Sequence, residues 1–171
     1  LVIAVKPQVA ANTVPQLAGM AGPKTVVVSI MAGTTIASLQ EVCGGAVVRA
    51  MPNTPAAIGR GVTGAVTNAH VSADQRTLCD ELLRAVGEVV WLNDESLIDA
   101  VTAVSGSGPA YVFLLTEALA QAGCAAGLDQ DTALRLARAT VSGAGELMNR
   151  SDVDPATYPR PVVPQQPRLP F

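Results

Sequence analysis

The sequence predicts an α/β protein whose strands and helices alternate up to residue 94, followed by an all-helical part. Continuous β-branched runs at residues 1–5 and 25–30 are typical of strands covered on both faces. From residue 97 to residue 149 no strand pattern remains. The 171 residues include 49% hydrophobic and 15% charged residues, so we expect a packed core rather than a disordered chain.

The remaining elements of the first part follow from local patterns. Residues 8–20 favour a helix that Pro15 must bend or shorten. Ser72 and Gln75 have the spacing of a capping box, which predicts a helix over residues 72–86 with Leu78, Leu82 and Val86 at helical spacing. The same reasoning predicts a helix over 34–42 and short strands over 47–50, 61–67 and 88–92, in a parallel or mixed sheet.

The helical part divides into two helices at Gly127-Leu128-Asp129. Ser107 and Pro109 form a favourable start for the first, because proline in the first turn loses no hydrogen bond. The second carries an apolar seam that requires a partner helix, either within the chain or in a second subunit. The seam consists of Leu134, Ala137, Val141, Ala144 and Met148. Six prolines over residues 155–171 predict an extended tail.

Composition excludes several classes of function. A net charge of −3, no basic cluster and 3% aromatic residues argue against a nucleic-acid partner. The purely apolar runs are far shorter than the ~20 residues of a membrane helix. Three cysteines without a CxxC pair suggest neither a disulfide framework nor a metal site, which fits the cytoplasm. Residues 1–5 lack an initiator Met and a signal-peptide pattern, so we expect further sequence upstream.

Candidate binding residues follow the predicted strands. Lys6-Pro7 follows the first strand and Met31-Ala32-Gly33 the second, and ligands of open α/β sheets bind beyond the carboxyl ends of strands. The alternatives are a solvated lysine and an ordinary turn. Asn53, between prolines after the third strand, either presents a rigid amide to a ligand or forms an Asx turn.

Other motifs favour structural interpretations. Residues 59–64 satisfy G-x-G-x-x-G, but a proline-broken turn precedes them and a strand follows, so we predict a turn and a strand entry. Residues 105–109 resemble a phosphate nest, yet a helix junction is favoured because no Lys-Ser/Thr follows. His70 has no recognisable nucleophile partner. Glu117 lies in an apolar helix and must find water, a partner or a subunit interface.

Three strings together resemble the pyrroline-5-carboxylate reductase family. They are AVKP at 4–7, MPNTP at 51–55 and DAVTAVSGSGPAY at 99–111. The resemblance spans residues 1–155 and implies the NADPH- or NADH-dependent reduction of 1-pyrroline-5-carboxylate to L-proline in proline biosynthesis. It implies the second half of a Rossmann-type domain over 1–94 and a helical dimerisation domain over 95–154, followed by the tail over 155–171. The resemblance also implies a homodimer or a larger homo-oligomer.

The resemblance also implies roles for individual residues. Asn53 would hold the reacting ends of cofactor and substrate, and the chemistry needs no covalent nucleophile, so no catalytic residue is assigned. The implied cofactor-binding residues are Ala4, Val5, Lys6, Pro7, Met31, Ala32, Gly33 and Asn53. The family's Gly-rich loop should precede Leu1, and its Ser-Pro-Gly-Gly-Thr loop is replaced after Thr157. The alternative function is an inactive homologue that acts only as an oligomerisation module.

Overall fold

The computed structural model describes residues 1–158, and the side chains of Pro7 and Ala11 are not described. Two compact units divide the chain, the first Leu1–Tyr111 and the second beginning at Val112. Most of the predicted tail, from residue 159 onward, lies outside the described residues. Its first residues form a turn rather than an extended segment, in which the Thr157 backbone N–H donates to the Asp154 carbonyl at 2.9 Å.

The first unit contains a five-stranded mixed sheet with its strands in sequence order. Strands β1, β2 and β3 pair in parallel, β3 and β4 are antiparallel, and β4 and β5 are parallel. The predicted fold class is confirmed. The strands are β1 (Val2–Ile3), β2 (Val26–Ser29), β3 (Ala46–Pro52), β4 (Gly61–Thr67) and β5 (Gly87–Trp91). β1 is shorter than predicted because only two of its residues pair in register with β2.

The helices lie close to their predicted positions. Pro15 does shorten the first helix, because the chain passes there into a 3₁₀ turn, Val14–Leu17. A π-helical turn, Thr102–Gly106, interrupts the helical run before the long helices. The helices are α1 (Pro7–Thr13), α2 (Ile36–Cys43), α3 (Ala73–Arg84), α4 (Ile98–Val101), α5 (Gly108–Ala125) and α6 (Gln130–Asn149).

Helices cover both faces of the sheet. On one face the fully buried Val27 and Val47 pack with Leu39 of α2. On the other, Val48 packs with Leu83 of α3. Because successive strand residues point to opposite faces, adjacent valines of one strand contribute to separate cores. This explains why β2 and β3 are apolar at nearly every position.

The predicted helix α3 and its capping box are confirmed, since the Ser72 hydroxyl accepts from the Gln75 N–H and the Gln75 side chain accepts from the Ser72 N–H. However, the buried face of α3 is not the face that carries the regularly spaced leucines of the sequence pattern. Leu78 and Leu82 are 59% and 48% exposed, whereas Leu83 is only 6% exposed. The pattern could not distinguish the two faces because apolar residues occupy neighbouring positions on both.

Helix α5 is apolar around most of its circumference. Phe113, Leu114 and Leu115 are all more than half exposed, so no single side of the helix is buried by the described chain. By length and composition alone, the stretch Glu95–Ala125 could also cross a bilayer. Helices with this property occur in soluble proteins when another helix covers them.

Leu83→Ala should lower the free energy of unfolding by about 3 kcal/mol, because it leaves a cavity between α3 and the sheet. Leu82→Ala is the matched control on the same helix and should cost less than about 1 kcal/mol, since Leu82 is half exposed. Urea unfolding followed by circular dichroism measures both. Equal losses would contradict the assigned face.

The contribution of helix α6 to thermal stability should depend on pH, because an aspartate caps its N-terminus. The Asp129 carboxylate caps α6 by accepting from the Thr132 N–H at 2.9 Å, and this bond lowers the pKa of Asp129 below its ordinary 3.8. Because the folded pKa is depressed, the stabilisation is present above pH 3.8 and is lost as the pH falls through the lower folded value. Asp129→Asn keeps the cap without the charge, so the difference between wild-type and variant thermal stability should shrink on acidification. A constant difference would contradict this origin.

Candidate active site

The predicted binding residues of the first unit meet at one edge of the sheet. Because β1, β2 and β3 are parallel neighbours, their carboxyl ends lie side by side. Lys6 follows β1, the turn Met31-Ala32-Gly33 follows β2, and Asn53 follows β3. The structure therefore places the three segments, which are far apart in the sequence, around a common edge.

Most of the candidate binding residues at this edge are small or exposed. Ala4, Lys6, Ala32 and Gly33 are exposed. Gly33 has φ of +73°, and a Cβ at that position would meet no atom within 4 Å. The Lys6 ammonium provides the one cation among these residues. Small residues beside one positive charge fit the chemistry of a nicotinamide cofactor.

Met31 differs from its neighbours in this turn because the whole residue is buried. It is 2% exposed and packs in the core beneath α2. Its N–H donates to the Ser29 hydroxyl at 3.3 Å. Of the three residues of the turn, only Ala32 and Gly33 are therefore exposed.

Asn53 connects three segments of the first unit. Its Oδ1 accepts from the Val62 N–H at 2.9 Å, which holds the start of β4. Its Nδ2 donates to the Ser105 carbonyl at 3.2 Å, which holds the π-helical turn. Within residues 1–158, the second N–H of Nδ2 has no acceptor. Asn53 is therefore a positioning residue in this structure, with one donor left for a ligand.

Residues 105–109 lie at the predicted helix junction, between the π-helical turn and α5. Among the described residues, the Ser105 hydroxyl is the one buried side-chain polar atom without a hydrogen-bond partner. Single π-helical turns are frequent at functional sites. The sequence indicated the junction but not the buried hydroxyl, because burial depends on packing against the sheet.

A partly buried ion pair stabilises the segments that lead to and from the same edge. Arg49 of β3 lies 2.7 Å from Glu95, and its side chain is only 10% exposed. The same Glu95 oxygen accepts from the Ile36 N–H at the start of α2 at 2.8 Å. The local sequence around Glu95 does not predict this ion pair. A lone arginine in the apolar strand β3 was the available signal for a buried acidic partner.

The G-x-G-x-x-G match at 59–64 has the predicted structural role. Gly59 has φ of +69° and ends a 3₁₀ turn, and Gly61 begins β4. A Cβ on Gly64 would lie 2.8 Å from Val101, so close packing requires glycine there. These glycines serve the turn and the sheet.

Two of the described cysteines, Cys43 and Cys79, are buried. Burial raises the pKa of the Cys43 and Cys79 thiols, which keeps them protonated at neutral pH. His70 is exposed on a turn. Within residues 1–158, no three His, Cys, Asp or Glu side chains are grouped as metal ligands.

Comparison with known proteins gives a consistent result. The family model for pyrroline-5-carboxylate reductase dimerisation matches residues 95–164. The pyrroline-5-carboxylate reductase of Pseudomonas aeruginosa is 48% identical over 164 residues, covering 95% of this chain and 60% of that protein. The chain therefore spans about 60% of the length of this relative.

Two solved structures have the same fold. That of a pyrroline-5-carboxylate reductase from Coxiella burnetii superimposes with a TM-score of 0.82 at 38% identity, covering 90% of this chain and 58% of that one. The structure of Plasmodium falciparum pyrroline carboxylate reductase with NADP bound superimposes with a TM-score of 0.78 at 32% identity. This match covers 89% of this chain and 61% of that one.

The five-stranded mixed sheet and the match to a dimerisation model place the chain in the same structural class as these two reductases. Across 95% of its length the chain is similar to a pyrroline-5-carboxylate reductase, and it resembles this family in both sequence and fold.

Glu95→Ala should lower the free energy of unfolding by about 3 kcal/mol, because it leaves the Arg49 guanidinium largely buried without its partner. Glu81→Ala on the exposed surface of α3 is the matched control, with an effect within about 0.5 kcal/mol. Denaturant unfolding measures both variants. An effect of Glu95→Ala no larger than that of Glu81→Ala would contradict the supporting role of the pair.

Proposed function

We propose that this chain is part of an enzyme that transfers a hydride from NADPH or NADH to the C=N bond of 1-pyrroline-5-carboxylate, giving L-proline in proline biosynthesis. The observation that carries the proposal is the shared edge at the ends of β1, β2 and β3, where Lys6, Gly33 and Asn53 come together. The 48% identity to a pyrroline-5-carboxylate reductase supports the choice of substrate.

Residues 1–94 form the second half of a Rossmann-type domain in this proposal, and residues 95–154 form a helical dimerisation domain. The segment from Ala4 to Pro7 lines the nicotinamide and its ribose. Ala32 and Gly33 leave room for the ring because neither has a side chain larger than a methyl group. The backbone of Met31 completes the turn.

The nicotinamide supplies the hydride when bound, and the residues of this chain orient the reacting groups. A protonated C=N bond is already electrophilic, so the protein needs no covalent nucleophile. Asn53 holds the strand ends in place through two backbone contacts and offers its remaining N–H to the cofactor or the substrate. Lys6 contributes a positive charge on the cofactor side.

The working enzyme is a homodimer or a larger homo-oligomer in the cytoplasm. The dimerisation family model covers both long helices, and the exposed apolar surface of α5 requires a partner. Nucleic acid and membrane have no part in this proposal.

A polypeptide of these 171 residues should bind the cofactor weakly. The expected phosphate-binding Gly-rich loop is not among its residues, and the charged pyrophosphate contributes much of the affinity for a dinucleotide. The second candidate function is an oligomerisation module without catalysis, which the exposed apolar surface of α5 and the match to the dimerisation model support.

NADPH added to the isotope-labelled polypeptide should shift the backbone NMR signals of Lys6, Ala32, Gly33 and Asn53, with a dissociation constant well above about 10 μM. A constant in the low micromolar range would contradict the weak binding. Shifts confined to other residues would contradict the site, and no shifts at millimolar NADPH would favour the oligomerisation module. Loss of NADPH absorbance with 1-pyrroline-5-carboxylate measures turnover directly.

Ala32→Leu should weaken this binding at least about tenfold, because an isobutyl group fills the space above the turn. Ala37→Leu, on the exposed surface of α2, is the matched control and should leave the dissociation constant unchanged. Equal affinities of the two variants would exclude the turn as the place of the ring.

A further inference from the structure

The second unit contains a groove of about 940 Å³ between helices α5 and α6. The helices approach each other closely near their connecting turn, where a Cβ on Gly123 would lie 3.1 Å from Ala133. The groove walls are largely apolar and include Phe113 and Leu134. The groove therefore resembles the surface that an additional helix would cover.

Two opposite charges interrupt these apolar walls. Glu117 lies on the α5 wall and Arg138 on the α6 wall. Glu117 is ten residues before Gly127, and Arg138 is nine residues after Asp129, so the two lie at similar distances from the turn. Nevertheless, within residues 1–158 neither forms an ion pair, and the Glu117 carboxylate accepts only from Gln121, at 3.2 Å.

The occupant that best fits this groove is a second copy of the chain. The dimerisation family model covers both walls. In addition, α5 exposes apolar side chains outside the groove, including Leu115 and Leu119, so each copy offers both a groove and an apolar ridge. A two-fold interface brings residue i of one copy to residue j of the other, and residue j to residue i.

Covering the groove would remove Glu117 and Arg138 from water. An unpaired charge in such a place costs several kcal/mol, whereas a pair of opposite charges recovers much of this cost. Because the two charges have opposite sign and lie on facing walls, two-fold symmetry can satisfy both at once.

We infer that Glu117 of each subunit forms a salt bridge with the partner subunit's Arg138, so that two reciprocal ion pairs fix the register of the dimer. This inference rests on the homodimer in the proposed function and adds the residues that determine which surfaces pair. Both residues are exposed in the single chain, so changing them alters the interface and leaves the core of the second unit intact.

Exchange of charges between subunits tests the inference. Glu117→Arg and Arg138→Glu should each weaken the dimer of the 171-residue chain about a hundredfold or more, because like charges then face each other. An equimolar mixture of the two variants should form a heterodimer within about tenfold of the wild-type affinity, since both intersubunit pairs are restored. Sedimentation equilibrium measures all three samples.

The mixture distinguishes the inference from a salt bridge within one chain. If the salt bridge formed within one chain, one subunit of the heterodimer would carry arginine at both 117 and 138, and the other would carry glutamate at both. Neither pair would then be restored, and the mixture would remain dissociated. That result would overturn the inference. Arg135→Glu changes a charge on α6 outside the groove and should alter the affinity less than about threefold.

Two further outcomes are informative. If the wild-type chain is monomeric, both the proposed homodimer and the inference fail, whereas a wild-type dimer with an unrestored mixture overturns the inference alone. If a charge reversal lowers the helix content, Glu117→Gln and Arg138→Gln replace the reversals. The double Gln variant should then weaken the dimer no more than either single variant, and additive losses would overturn the intersubunit pair.

Discussion

The parallel pairing of β1, β2 and β3 is the constraint on which the candidate active site depends. Parallel strands direct all their carboxyl ends to one edge, and the connecting helices α1 and α2 return the chain to the opposite edge. Lys6, Gly33 and Asn53 follow the same ends of three consecutive strands for this reason, although 47 positions separate the first from the last. If β2 were antiparallel, the Gly33 turn would leave from the opposite edge.

Polar contacts within the first unit hold together the segments that form this edge. Glu95 joins the start of α2 to Arg49 of β3, and Asn53 joins the end of β3 to the start of β4. Both contacts lie in or beside the apolar core, where hydrogen bonds are electrostatically stronger than in water. Several of the candidate binding residues, by contrast, are small, namely Ala4, Ala32 and Gly33.

Local sequence patterns were sufficient for most of the first unit. The capping box at Ser72, the effect of Pro15 and the strand role of residues 61–67 all depend on interactions between near neighbours, and the structure agrees with each. The buried face of α3 was not predictable, because choosing between Leu82 and Leu83 requires the position of the sheet. For the same reason the partner of Arg49 and the buried Ser105 hydroxyl emerged only from the structure. Positions after predicted strands and the family resemblance together identified the candidate site residues, whose roles in binding stay predictions.

The side chain of Asn53 ends in a single rigid plane of atoms, and both of its described hydrogen bonds come from that plane. Turning it to strengthen one contact therefore tilts the other. The positions of the first residues of β4 and of the π-helical turn are thus coupled through one amide. A shift of this amide would therefore move the first residues of β4 and the turn before α5 together.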